Sequence, residues 1–120
     1  MYKITVKTHF SSAHHLREYK GNCENVHGHN WKVEVTAAFK ELPESGMAMD
    51  FRDLKKVTSG VIDKIDHKDI NQLDYFKDVN PTSENIAKFI FDRIAQEGVP
   101  VREVKVFETD KYSASYMKGE

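Results

Sequence analysis

From its second residue the chain alternates between apolar and polar positions. Tyr2, Ile4, Val6, Thr8 and Phe10 share one parity, against Lys3, Thr5, Lys7 and His9 on the other. A period of two predicts a half-buried strand over residues 2–10. Trp31, Val33, Val35, Ala37 and Phe39 repeat the pattern against Lys32, Glu34 and Thr36, predicting a second strand over residues 31–39. Leu42-Pro43-Glu44-Ser45-Gly46 reads as a turn, with Met47-Ala48-Met49 as a short strand after it. The period then becomes helical. Phe51, Leu54, Val57, Val61, Ile62 and Ile65 follow Asp50, a good N-cap residue. A second helix opens at Pro81-Thr82-Ser83-Glu84, shows an apolar face of Ile86, Ala87, Phe89, Ile90 and Ile94, and stops at Gly98 and Pro100. Residues 101–108 and 112–117 read as two closing strands joined by a turn at 109–111. Hairpins segregated from helices predict an α+β fold, an antiparallel sheet with helices on one face, in a single domain over residues 1–120.

Composition narrows the function classes. The formal charge is -1 and the cations are interleaved with acids, so no basic stripe suggests nucleic acid. No apolar leader opens the chain and no long apolar span follows, which reads as cytoplasmic with no membrane partner. Cys23 is the only cysteine, so no intramolecular disulfide is available and the thiol suits a reducing compartment. At 120 residues the domain is small for an enzyme that encloses a substrate, a limit that sites shared between subunits would relieve.

The unusual chemistry lies in the long connection over residues 11–30. His27 and His29 flank Gly28, and in an extended backbone residues i and i+2 point to the same side, so both imidazoles can close on one metal ion. Gly28 between them leaves room for backbone or substrate to come near. A third imidazole is available at His14 or His15, and periodicity does not choose between them; His9 reads as a surface residue. Three histidines without a fourth protein ligand describe a catalytic zinc site with one open position. Cys23 is then a candidate base or nucleophile, against the alternative of a small buried apolar residue. Glu108 shares parity with Val104 and Val106. Either it accepts hydrogen bonds from a polar ligand edge, or the strand bulges first and leaves it solvated. Asp66-His67 reads either as a helix C-terminal complement or as an acid/base residue tuned by a carboxylate.

In order along the chain, these pieces resemble the 6-pyruvoyltetrahydropterin synthase family, most closely its 6-carboxytetrahydropterin synthase branch. Phe10-Ser11-Ser12-Ala13-His14-His15-Leu16 is similar to F-x-x-A-H-x-L, and Cys23 through His29 to C-x-x-x-H-G-H. Met49-Asp50-Phe51 with Leu54, Asp66-His67 with Leu73, Asn80-Pro81-Thr82-Ser83-Glu84-Asn85 and Glu108-Thr109 complete the resemblance. It implies that His14, His27 and His29 hold Zn2+, that Cys23 is the catalytic base, and that Asp66 and His67 form a relay. It also implies that Glu108 holds the pterin by its amino-pyrimidinone edge, with Thr82 and Ser83 at the substrate. The implied fold is the tunnelling fold, whose four-stranded sheets join around an axis into an oligomeric β-barrel, commonly a homo-hexamer with active sites between subunits. The implied reaction converts 7,8-dihydroneopterin triphosphate and water to 6-carboxy-5,6,7,8-tetrahydropterin, triphosphate and acetaldehyde, toward queuosine and other deazapurines. Glu24, directly after Cys23, leaves a second product open, 6-hydroxymethyl-7,8-dihydropterin for folate. A zinc and pterin-binding module without turnover is a third reading.

Overall fold

A computed structural model describes residues 1–17 and 25–119. Its main elements are strands β1 (Tyr2–His14) and β2 (His27–Phe39), helices α1 (Phe51–Ile62) and α2 (Ser83–Gln96), and strands β3 (Val101–Thr109) and β4 (Tyr112–Met117). Two short 3-10 turns, Ile70–Gln72 and Asp74–Phe76, lie between the helices. The four strands form one antiparallel sheet in the order β1-β2-β3-β4. Its inner face carries Phe10, Trp31, Val33, Val35, Val104 and Val106, packed with Leu54 of α1 and Ile86, Ile90 and Ile94 of α2. The opposite face carries polar side chains such as Lys7, His9 and Lys32. Among the described residues, no helix is long and apolar enough to cross a membrane.

Both helices start as the sequence suggests. Asp50 accepts a hydrogen bond from the Arg52 amide at 2.8 Å, and Thr82 Oγ1 accepts one from the Asn85 amide at 3.1 Å. Each satisfies a donor that the first helical turn leaves without an intrahelical partner. Gly98 takes φ 85, the left-handed conformation expected just past α2. Helix α1 is shorter than its apolar spacing suggests: it ends at Ile62, and Ile65 is buried from the turn that follows.

Two expectations are corrected. The first concerns the strands beside the long connection, which run past their apolar stretches, β1 to His14 rather than Phe10 and β2 from His27 rather than Trp31. Their ladder continues from Phe10↔Trp31 through Ser12↔His29 to His14↔His27. Alternation persists there, but the inner positions change from apolar side chains to a hydroxyl and imidazoles, which hydrophobicity does not register. The second concerns Met47-Ala48-Met49, which joins no ladder. Gly46 turns the chain at φ 77, and the segment lies beside Tyr2–Ile4 with Met49 packed on the core.

The extension of β1 is held on its other edge by the segment after α1. The His67 amide donates to Ser11 O at 2.6 Å and the Ala13 amide to Lys68 O at 3.0 Å. Ser12 Oγ donates to Ile65 O and accepts from the Lys68 amide at 3.2 Å. Asp66 Oδ1 accepts from the Ser11 amide at 2.9 Å, and this bond leads in holding its carboxyl below the ordinary value of 3.8. A depressed carboxylate pKa stabilises the fold above that value, and the contribution is lost as pH falls through the folded-state pKa. Asp66→Asn keeps the acceptor oxygen but removes its charge, and should therefore lower stability at pH 7 by about 1 kcal/mol, the difference between a charge-assisted and a neutral hydrogen bond at a partly solvated site. In urea titrations the gap between variant and parent should close as pH drops below 3.8; a gap independent of pH would refute this account.

Candidate metal centre

The inner face of the β1–β2 ladder ends in imidazoles. His14 closes β1, and His27 and His29 open β2 on the parity of Trp31, so all three rings meet just beyond the buried Trp31. Ring centroids are 4.8 Å apart for His14 and His27, 5.4 Å for His14 and His29, and 4.6 Å for His27 and His29. The interplanar angles run from 67° to 90°, so the rings converge edge to face instead of stacking. Trp31 forms the floor, with its ring 4.8 Å from His14 and 5.4 Å from His29.

The hydrogen bonds fix which nitrogens face inward. His14 Nδ1 lies 2.7 Å from the Pro81 carbonyl oxygen and His27 Nδ1 lies 3.0 Å from that of Asn25. A carbonyl only accepts, so each Nδ1 carries a proton, and in the neutral form of either ring the lone pair is then on Nε2. His14 is 1 % exposed, and burial leads in pushing its pKa below 6.5, against the Pro81 bond that raises it. It is therefore neutral at pH 7, the form that binds a metal. Among the described residues, His14 Nε2 and His29 Nε2 are both buried without a hydrogen-bond partner. Orphaned buried nitrogens are costly in a folded chain, and a cation between them would remove the cost.

Glu108 stands beside the three imidazoles. One ligand atom from each of His14, His27, His29 and Glu108 lies within 4.8 Å of all the others. Zinc–nitrogen bonds of about 2.0–2.1 Å place tetrahedral donors about 3.3 Å apart, so shifts of under about 1 Å would close the site. The donor set fits a dication such as zinc. His14 rather than His15 joins it: β1 carries the parity of Phe10 through Ser12 to His14. Among the described residues, nothing beyond its own chain neighbours lies within 4 Å of a Cβ built at Gly28.

Both readings of Glu108 contain part of the truth. A bulge does interrupt the β3–β4 ladder at this residue, between Phe107↔Ser113 and Thr109↔Tyr112. The carboxylate nonetheless stays half-buried on the inner side. Oε1 is 3.2 Å from His29 Nε2, without hydrogen-bond alignment, and Oε2 accepts from Ser83 Oγ at 3.3 Å. Glu108 and Ser83 line a pocket of about 350 Å³ with Glu84, Thr109, Tyr112 and Ser113. Thr82 is occupied in capping α2 and is not part of that lining.

Asp66 and His67 stand apart from the cluster, across the outer edge of β1. Their side chains form a pair at 2.9 Å, with His67 81 % exposed. Helix α1 has already ended at Ile62, so His67 does not complement its last turn. Its φ of 56° is unusual for a residue with a Cβ and costs about 1 kcal/mol or more. Cys23 and Glu24 lie outside the described residues. Sequence reasoning passed over the Pro81 carbonyl and the side chains of Asn71 and Asn80, all of which bond to the backbone or ring of residues 14–17.

With this geometry in place, comparison with known proteins is informative. The family model described as 6-pyruvoyl tetrahydropterin synthase matches residues 3–119. A putative 6-carboxy-5,6,7,8-tetrahydropterin synthase of Archaeoglobus fulgidus is 44% identical over 107 residues, covering 89% of this chain and 88% of that protein. The 6-pyruvoyl tetrahydrobiopterin synthase of Homo sapiens is 42% identical over 106 residues, covering 84% and 72%. The structure of Caenorhabditis elegans 6-pyruvoyl tetrahydropterin synthase superposes with a TM-score of 0.85 at 30% identity, covering 98% of this chain and 96% of that one.

The ligand geometry makes a direct prediction. Metal analysis of purified protein should find one zinc per chain, falling to about a tenth or less in His14→Ala, His27→Ala and His29→Ala, because each removes one of three imidazoles from a minimal site. His15→Ala should keep its zinc. Full occupancy in His14→Ala would remove that residue from the ligand set.

Proposed function

This chain belongs to the 6-pyruvoyl tetrahydropterin synthase family, and on that premise we propose that it is a zinc-dependent 6-carboxy-5,6,7,8-tetrahydropterin synthase. The reaction takes 7,8-dihydroneopterin triphosphate and water to 6-carboxytetrahydropterin, triphosphate and acetaldehyde, in the cytoplasm and toward queuosine. The observation that carries the reading is the cluster of His14, His27, His29 and Glu108 beside the pocket of Ser83. Overall identity does not separate the carboxy from the pyruvoyl reading, since the archaeal and human relatives stand at 44% and 42%. The interval between Cys23 and His27, only Glu24-Asn25-Val26, favours the carboxy product.

His14, His27 and His29 would hold the metal, which supplies Lewis-acid polarisation of the substrate's side-chain hydroxyls. Glu108 accepts hydrogen bonds from the amino-pyrimidinone edge of the pterin, with Ser83 holding its second oxygen. This fixes the angle of a planar substrate and supplies proximity. Thr82 contributes by setting the start of α2. Cys23, as thiolate, removes a proton from the polarised side chain. His67, with Nδ1 against Asp66, delivers a proton elsewhere on that side chain through Nε2.

Exposure of His67 on the far edge of β1 supports a site shared between subunits. The edges of β1 over Tyr2–Phe10 and of β4 pair with no other strand among the described residues. Soluble proteins cover such edges. Pairing of β4 with β1 of the next copy, repeated around an axis into a hexameric barrel, would carry each Asp66-His67 pair to a neighbouring centre.

Incubation with dihydroneopterin triphosphate, followed by mass spectrometry, tests the assignment. 6-Carboxytetrahydropterin is the expected product. 6-Hydroxymethyl-7,8-dihydropterin would transfer the chemistry to Glu24, and zinc binding without any product would leave a binding module. Cys23→Ala should keep its zinc and lose about 10²–10⁴-fold in turnover, the usual range for a general base. Mixing it with inactive His67→Ala should restore part of the activity once subunits exchange. No recovery after proven exchange would rule out the shared site.

A further inference from the structure

The turn before α2 touches the end of β1 twice, and the two contacts close a ring. The carboxamide of Asn80 clamps the backbone of Arg17: its Oδ1 accepts from the Arg17 amide at 2.9 Å and its Nδ2 donates to the Arg17 carbonyl at 3.3 Å. One residue further on, the buried Pro81 accepts from His14 Nδ1 at 2.7 Å. The ring runs along the chain from His14 to Arg17, across the clamp to Asn80, along one peptide to Pro81, and back to the imidazole.

The members of this ring have little freedom. Proline fixes its own φ and restricts the residue before it. The Asn80 carbonyl accepts from the Thr82 amide at 2.8 Å and from Asn85 Nδ2 at 2.9 Å, which ties the turn to the first turn of α2. On the other side, the Arg17 guanidinium donates to Phe76 O at 2.5 Å and Val79 O at 2.6 Å. The guanidinium ties Arg17 to the residues before Asn80, while the carboxamide clamp ties its main chain to Asn80 itself, the residue next to the Pro81 carbonyl.

We propose that Asn80 is a positioning residue for the metal-binding imidazoles: its clamp on Arg17 sets the Pro81 carbonyl that orients His14, and so aims His14 Nε2 at His27 and His29. The inference rests on the reading that these histidines hold a metal. Outer partners that orient a ligating histidine typically change metal affinity by about 10–100-fold when removed.

Zinc affinity, measured by competition with a chromophoric chelator, gives a test that does not depend on turnover. Asn80→Ala should weaken zinc binding by about 10–100-fold. Asn80→Asp, which keeps the acceptor and loses the donor, should fall between variant and parent, and it carries the test if the alanine protein does not fold. Ile94→Val, a core change toward the far end of α2, should lower the urea midpoint and leave zinc affinity within about twofold, because it touches no ligand. In zinc-loaded samples the His14 Nδ1 proton should exchange with water faster in Asn80→Ala than in the parent. Parent-like affinity and exchange in folded Asn80 variants would overturn the inference and leave the metal reading intact. An equal loss of affinity in Ile94→Val would reduce Asn80 to a general stabilising role, against the proposal. A parent protein that binds no zinc would sink the metal reading itself, and the inference with it.

Discussion

A sheet face that turns from apolar to imidazole within one residue step is the constraint on which this structure rests. Beyond Trp31 the inner positions are Ser12, His14, His27 and His29, and the groups they bury need partners. Register is what makes this possible. A slip of one residue between β1 and β2 would turn side chains to the opposite face and disperse the three rings. The Phe10 and Trp31 rings, stacked at 5.6 Å, and the Trp31 indole bond to Ser12 O at 3.2 Å lock the ladder just before the imidazoles begin.

The support for that ladder end comes from segments far away in sequence. Residues 65–69 complete the outer edge of β1, while the turn before α2 reaches its last residues. Successive residues of that turn have separate tasks: Asn80 clamps, Pro81 orients, Thr82 caps, and Ser83 reaches Glu108. A short stretch at the start of one helix thus joins the imidazole side of the site to the carboxylate side. The apolar face of α2, packed on β3 and β4, keeps that stretch in place.

The strands and helices were legible because alternation and helical spacing follow from which face is buried. Legibility failed where burial stopped being apolar. Hydrophobicity ended β1 at Phe10 and restarted β2 at Trp31, although parity alone continues to His14 and back from His29. That same parity would have chosen His14 over His15. Met47-Ala48-Met49 reads as a strand after the turn, yet a strand needs a ladder, and this segment lies beside Tyr2–Ile4 without forming one. The clamping role of two asparagines was not legible, although Asn80 opens a recognisable segment: Asn71 and Asn80 act 56 and 63 positions away from the backbone they bind. Glu108 was ambiguous for a sound reason, since the bulge and the inward carboxylate are both present.

The two anchors flanking residues 18–24 have an evolutionary consequence. Arg17 is fastened by Asn80 on one side, and the Asn25 carbonyl holds His27 on the other. Both anchors use main-chain atoms of residues 17 and 25, so neither depends on which side chain stands at those two positions. Sequence drift there leaves the partners of the imidazoles in place, and the cluster tolerates change at its own borders.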